Sequence, residues 1–173
     1  MASKLLVALR VPAPPQRAFE AFVYEIGEWW RPNGLFDFTV GRQGRLVFEP
    51  GPTGRLTETY ADGSAFEIGR ITAWRPPELL SFTWRQASFG PDQLTEVCVS
   101  FAAVGEETRV TVEHSGWDAI PQQHAARHGF PLDVFQTRHA EWWRVLLASL
   151  GSRVAKGQRE NPHRRQPTSG PGR

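Results

Sequence analysis

Pro76-Pro77 separates two alternating runs, and this constrains the fold of the chain more than any other feature. In the stretch 66–84, FEIGRITAWRPPELLSFTW, residues Phe66, Ile68, Arg70, Thr72 and Trp74 fall on one face at period two, and Leu80, Phe82 and Trp84 repeat the pattern. Proline lacks a backbone donor and does not fit inside a paired ladder, so Arg75-Pro76-Pro77-Glu78 has to be a turn. The stretch is therefore a hairpin with large rings on its faces. A lone hairpin is marginal in water, and this one needs a broad apolar partner.

The 173 residues suit one domain, and a core of about 150 residues can bury roughly 70% of its unfolded surface. Seven Trp and eleven Phe are more rings than usual, enough to fill a core or to line a cavity. The single cysteine, Cys98, excludes an internal disulfide and a multi-Cys metal cluster, and its strand-like surroundings fit a small buried or half-buried residue. The N-terminal apolar run is short and interrupted by Arg10, so no signal peptide is expected, and no run approaches a membrane span. A soluble cytoplasmic protein is the expectation. From Ser152 onward six basic residues stand against Glu160, which leaves 14 basic and 17 acidic residues in the rest of the chain. No basic face for nucleic acid is left.

Leu5, Val7, Leu9 and Val11 mark a first strand, ended by Pro12-Ala13-Pro14-Pro15. Pro14 or Pro15 can open a helix, and Phe19, Phe22, Val23, Ile26, Trp29 and Trp30 follow at helical spacing with a break at Gly27. Short strands are then expected at 36–40, 45–49, 55–61, in the hairpin, and at 95–104 and 108–115, punctuated by glycines. The segment 87–93, ASFGPDQ, reads as a loop exposing Phe89. Residues 118–129 read as irregular or weakly helical. From Leu132, residues Phe135, His139, Trp142, Trp143, Leu146, Leu147 and Leu150 form an amphipathic helix, with Gly151 as its C-cap. One domain over 1–151 and a disordered basic tail over 152–173 are expected. The class is α+β.

In this order, APPQRAFEAFV, the Trp29-Trp30 pair, ADGSAFEIGRITAWRPPELLSFTW, TRVTVEHSGW and the Trp142-Trp143 helix resemble the START-like (SRPBCC) superfamily. Within it they look most like the family named for the activator of the heat-shock-protein-90 ATPase, over about residues 5–150. The resemblance implies a helix-grip fold: about seven antiparallel strands curled around the long C-terminal helix, two short helices after the first strand, and a cavity between sheet and helix. It carries over no catalytic residue and no cofactor, and fold alone does not fix function.

Alternation and helical spacing then nominate the residues facing such a cavity: Trp30, Phe48, Glu58, Tyr60, Phe66, Arg70, Trp74, Phe82, Trp84, His114, Phe135, His139 and Trp142, with Phe89 gating its mouth. Apolar walls with a few polar groups are the make-up of a ligand pocket. Glu58, between Leu56 and Tyr60, needs a partner if it points inward, and Arg70 is the candidate. His114 follows Val110 and Val112 inward, either as a hydrogen-bonded core residue or as an acid–base group. His124 and His128 have a helical zinc spacing but no third ligand in sequence, so no metal is expected. A non-enzymatic binder of a small hydrophobic molecule is the first reading. A cyclase- or hydratase-type enzyme using His114 and Glu58 is the second, and a chaperone-ATPase or other interaction module is the third. No separate N-terminal chaperone-binding domain is expected, and a homodimer or a chaperone partner is left open.

Overall fold

Alternating apolar residues build one sheet. In the computed structural model, which describes residues 3–159, its strands are β1 (Lys4–Val11), β2 (Arg45–Phe48), β3 (Arg55–Thr59), β4 (Ala65–Arg75), β5 (Leu79–Trp84), β6 (Thr95–Val104) and β7 (Glu107–Ser115). All seven lie in a single antiparallel sheet of order β1-β7-β6-β5-β4-β3-β2. Helices α1 (Pro15–Tyr24) and α2 (Ile26–Trp29) follow β1, and α3 (Leu132–Arg159) crosses the concave face and packs on β1. The hairpin turns at Pro76-Pro77, whose peptide bond is cis.

Strands β6 and β7 keep strict alternation over their buried stretch, and β5 does so apart from Ser81, which is buried too; the inner face holds Leu80, Phe82, Trp84, Val97, Val99, Phe101, Val110, Val112 and His114. Strand β4 does not. Its register slips against β3 after Leu56 and against β5 after Ile71, so each pairing absorbs one extra residue. Ile68 and Ile71 therefore point inward and Arg70 and Thr72 outward, against the period-two expectation, while Trp74 returns to the inner side. Gly69 permits the first bulge, because a Cβ there would lie 1.7 Å from the carbonyl oxygen of Thr83.

Three boundaries also differ from the sequence reading. The first helix breaks at Glu25 and not at Gly27, which lies within α2. The Glu25 carboxylate accepts hydrogen bonds from Arg17 and from Arg153 of α3, and Arg17 first among these holds it below the usual carboxylate range. Residues 36–40 form no strand. Asn33 accepts the Leu35 N–H and starts a 3-10 turn over Gly34–Phe36, and beyond it come an isolated Thr39–Arg42 bridge and a hydrogen bond from the Ala87 N–H to the Phe38 carbonyl oxygen. Finally, α3 does not stop at Gly151. The glycine lies against Val11, and the helix runs on to Arg159 with Val154 fully buried. The expected tail thus loses its first eight residues to the helix, and the rest of it lies outside the described residues.

Candidate functional site

Where β5 and β7 face α3, the side chains are nearly all aromatic. Trp84 lies 4.8 Å from Phe38, 5.1 Å from His114, 5.9 Å from both Trp30 and Trp143, and 6.0 Å from His139, centroid to centroid. Phe36 stacks on Trp142 with 16° between planes and sits 4.6 Å from His139. Trp117 and Phe135 close the far side of His139, at 5.3 Å and 5.8 Å. Among the described residues, rings pack against one another between sheet and helix.

Two fully buried histidines lie 4.9 Å apart in this cluster and differ in what they bond. The Trp143 indole N–H donates to Nδ1 of His114 at 3.3 Å, which leaves the proton on Nε2. That Nε2 lies 2.8 Å from the Thr95 hydroxyl, which donates to the carbonyl oxygen of Trp84 at 3.1 Å. His114 is thus a satisfied neutral residue. Burial, aided by His139, holds its pKa well below the ordinary histidine value. Neither ring nitrogen of His139 has a hydrogen-bond partner on another residue; burial pushes its pKa down to about 3, opposed in part by its own backbone. The buried indole N–H groups of Trp84 and Trp117 also lack partners.

Glu58 lies at the rim. It points inward and is 5% exposed, but it does not meet Arg70. The phenol of Tyr60 donates to its Oε1 at 2.6 Å, and the Thr39 hydroxyl lies 2.9 Å from the same phenol. Burial first and the Glu58 carboxylate second raise the Tyr60 pKa. Arg70 is exposed and forms an ion pair with Glu67 at 2.8 Å, because the bulge in β4 turns it to the outer face. Beside Glu58 a notch of about 10 Å³ is walled by Trp30, Phe38 and Trp142, and an open groove of about 240 Å³ runs along Pro32, Leu35, Phe36 and Val145.

Phe89 is buried and does not gate a mouth. It packs edge-on against Trp117 at 5.7 Å and His124 at 5.5 Å. The segment covering it is held by Arg127, a buried cation that donates to the carbonyl oxygens of Ile120 at 2.7 Å and Phe130 at 2.8 Å. His124 and His128 are struts of this cover. The first bonds the Ser88 carbonyl at 3.0 Å and the second the Leu35 carbonyl, so they do not converge on a metal position.

Of the residues nominated from sequence, Trp30, Trp84, His114, Phe135, His139 and Trp142 share one cluster. Phe48 and Phe82 pack together at 5.3 Å on the α1 side, and Trp74 packs there on Phe19. Phe66 is half-buried with Arg85 over its ring. His114 and Glu58 each bond other groups, so no His114–Glu58 catalytic pair forms. Phe36, Phe38, Thr95 and Trp117 were not among the nominated residues. The first two alternate like a strand, which hid a turn that places both rings in the cluster.

A seven-stranded antiparallel sheet gripping a long C-terminal helix defines a helix-grip, START-like protein. The chain belongs to the family described as Activator of Hsp90 ATPase homolog 1-like protein, whose model matches residues 12–155. Protein MLL2253 from Mesorhizobium loti is similar in structure at 20% identity and TM-score 0.63, covering 89% of this chain and 98% of its own. PFC0360w, an HSP90 activator from Plasmodium falciparum, aligns at 16% identity and TM-score 0.60 over 88% and 96% of the two chains. Txn09, an anthrahydroquino-gamma-pyrone synthase, aligns at 26% identity and TM-score 0.52 over 86% and 95%. No curated protein is similar enough in sequence to count as a match. No helix among the described residues is long and apolar enough to cross a membrane.

Proposed function

We propose that the chain is a non-enzymatic binder of a small, planar, largely apolar molecule, taken up where Phe36 now packs against Trp142 and His139. One observation carries this reading: a fully buried histidine, both of whose ring nitrogens lack partners. Leaving a buried polar group unpaired costs about 1–3 kcal/mol, and such a cost at one position calls for a reason. A ligand with an oxygen placed among His139, Trp84 and Trp117 supplies one, since both indoles donate and the neutral imidazole donates once and accepts once. Phe36 is the natural door. It belongs to a three-residue turn and covers His139 with a ring a flat ligand can replace.

The enzymatic reading through His114 and Glu58 has less support, because the His114 lone pair already accepts from Trp143. The test is a titration of the nitrogen-15-labelled protein with 2-naphthol followed by NMR. The ring nitrogens of His139 and the indole signals of Trp84 and Trp117 should shift together and saturate, and more readily in Phe36→Ala. Shifts confined to exposed groups would count against the site. Recovery of a chaperone in a pull-down would favour the interaction role carried by the family's description.

A further inference from the structure

The notch beside Glu58 specifies a charge as well as a size, and this deepens the binding reading on which it rests. Its walls are the rings of Trp30, Phe38 and Trp142, with Asp37 and Gln43 at the opening. The Glu58 side chain is the buried acid of the notch, and Tyr60 fixes it through Oε1. The described hydrogen bonds give Oε2 no donor. Among the described ion pairs none includes Glu58 or Asp37. Arg42 lies over the Tyr60 ring at 3.9 Å but bonds Asp62 at 2.9 Å and Ser64 at 3.2 Å. Oε2 keeps some access to solvent, but a carboxylate largely withdrawn from water without a counter-charge favours a cation, and aromatic walls attract one.

We propose that this notch receives a protonated primary amino group of the ligand. The volume of about 10 Å³ suits one group the size of a water molecule. An ammonium group fits that size and brings three donors. A quaternary ammonium is too large for the notch as it stands. Phe36 and Trp142 line the notch, so an apolar body taken up where Phe36 now packs, against Trp142, carries its amine to Glu58. The ligand class is therefore an amine with a flat apolar body.

The experiment compares 1-naphthylmethylamine with 1-naphthylmethanol, a neutral molecule of nearly the same shape, by calorimetry at pH 7 on the full chain. The amine is expected to bind ~10-fold more tightly, and Glu58→Gln should bring the two within about twofold. Asp37→Asn, at the half-exposed opening, should lower the preference part of the way and serves if Glu58→Gln does not fold. Equal affinities in the unmodified protein would overturn the ammonium site while leaving the binding reading intact. So would a preference for the amine that survives in both variants when both are folded. Failure of both probes to bind would remove the binding reading and this inference with it.

Discussion

His139→Leu should make the protein more stable and unable to hold its ligand. The substitution removes a buried imidazole without hydrogen-bond partners and puts an apolar side chain among rings. The gain expected at pH 7 is about 1–2 kcal/mol, read from urea unfolding. The pH dependence gives a sharper check. Burial lowers the folded pKa of His139 to about 3, whereas the unfolded imidazole keeps the ordinary value near 6.5. Below about pH 6.5 the unfolded chain binds a proton that the folded chain refuses, so stability is fully present above that pH and falls on acidification until about pH 3. Between pH 7 and pH 5 this costs about 2 kcal/mol for His139. His114, depressed by burial in the same direction, adds a further loss. The unmodified protein should therefore lose about 2 kcal/mol more over that interval than His139→Leu does. An unchanged slope would mean that His139 has a partner in solution.

Trp84→Ala should have the largest destabilising effect of any single truncation in the cluster. The fully buried indole touches Trp30, Phe38, His114, His139, Trp142 and Trp143, rings from β7, α3 and the segment after α2. Removing such a ring leaves a cavity that surrounding helices and strands cannot close, at a cost of about 3–5 kcal/mol. For a chain of this size that is a fall in Tm on the order of 10 °C. Trp84→Phe keeps most of the contact area and loses an N–H that bonds nothing, so it should retain most of the stability. Equal losses in the two variants would mean that the indole N–H has a partner.

Much of this arrangement could be read from the chain. The alternation Val97, Val99, Phe101 and Val110, Val112, His114 runs unbroken, because β6 and β7 pair without a slip over nine residue pairs. The spacing of Phe135, His139, Trp142 and Trp143 likewise gave their helix face. Arg70 could not be placed the same way. Two bulges in β4 each insert a residue, and a bulge depends on the neighbouring strands, here on the close approach of Gly69 to Thr83. Phe89 was misread because it stands in a stretch of polar residues, Gly and Pro, and what buries it is a distant segment pinned by Arg127. Gly151 carried a stop signal that packing overrode, since the turns beyond it gain the burial of Val154 and the pairing of Arg153 with Glu25. The lack of partners at His139 is a property of geometry alone, and no pattern of letters announces it.

Native mass spectrometry of the purified protein, before and after organic extraction, tests the central claim most directly. The account predicts a species heavier than the bare chain that extraction converts to the bare mass, or one that forms when the extracted protein is incubated with the apolar extract of the expression host. The bare chain under all these conditions, with the His139 and indole signals unchanged, would contradict it and leave a filled aromatic core.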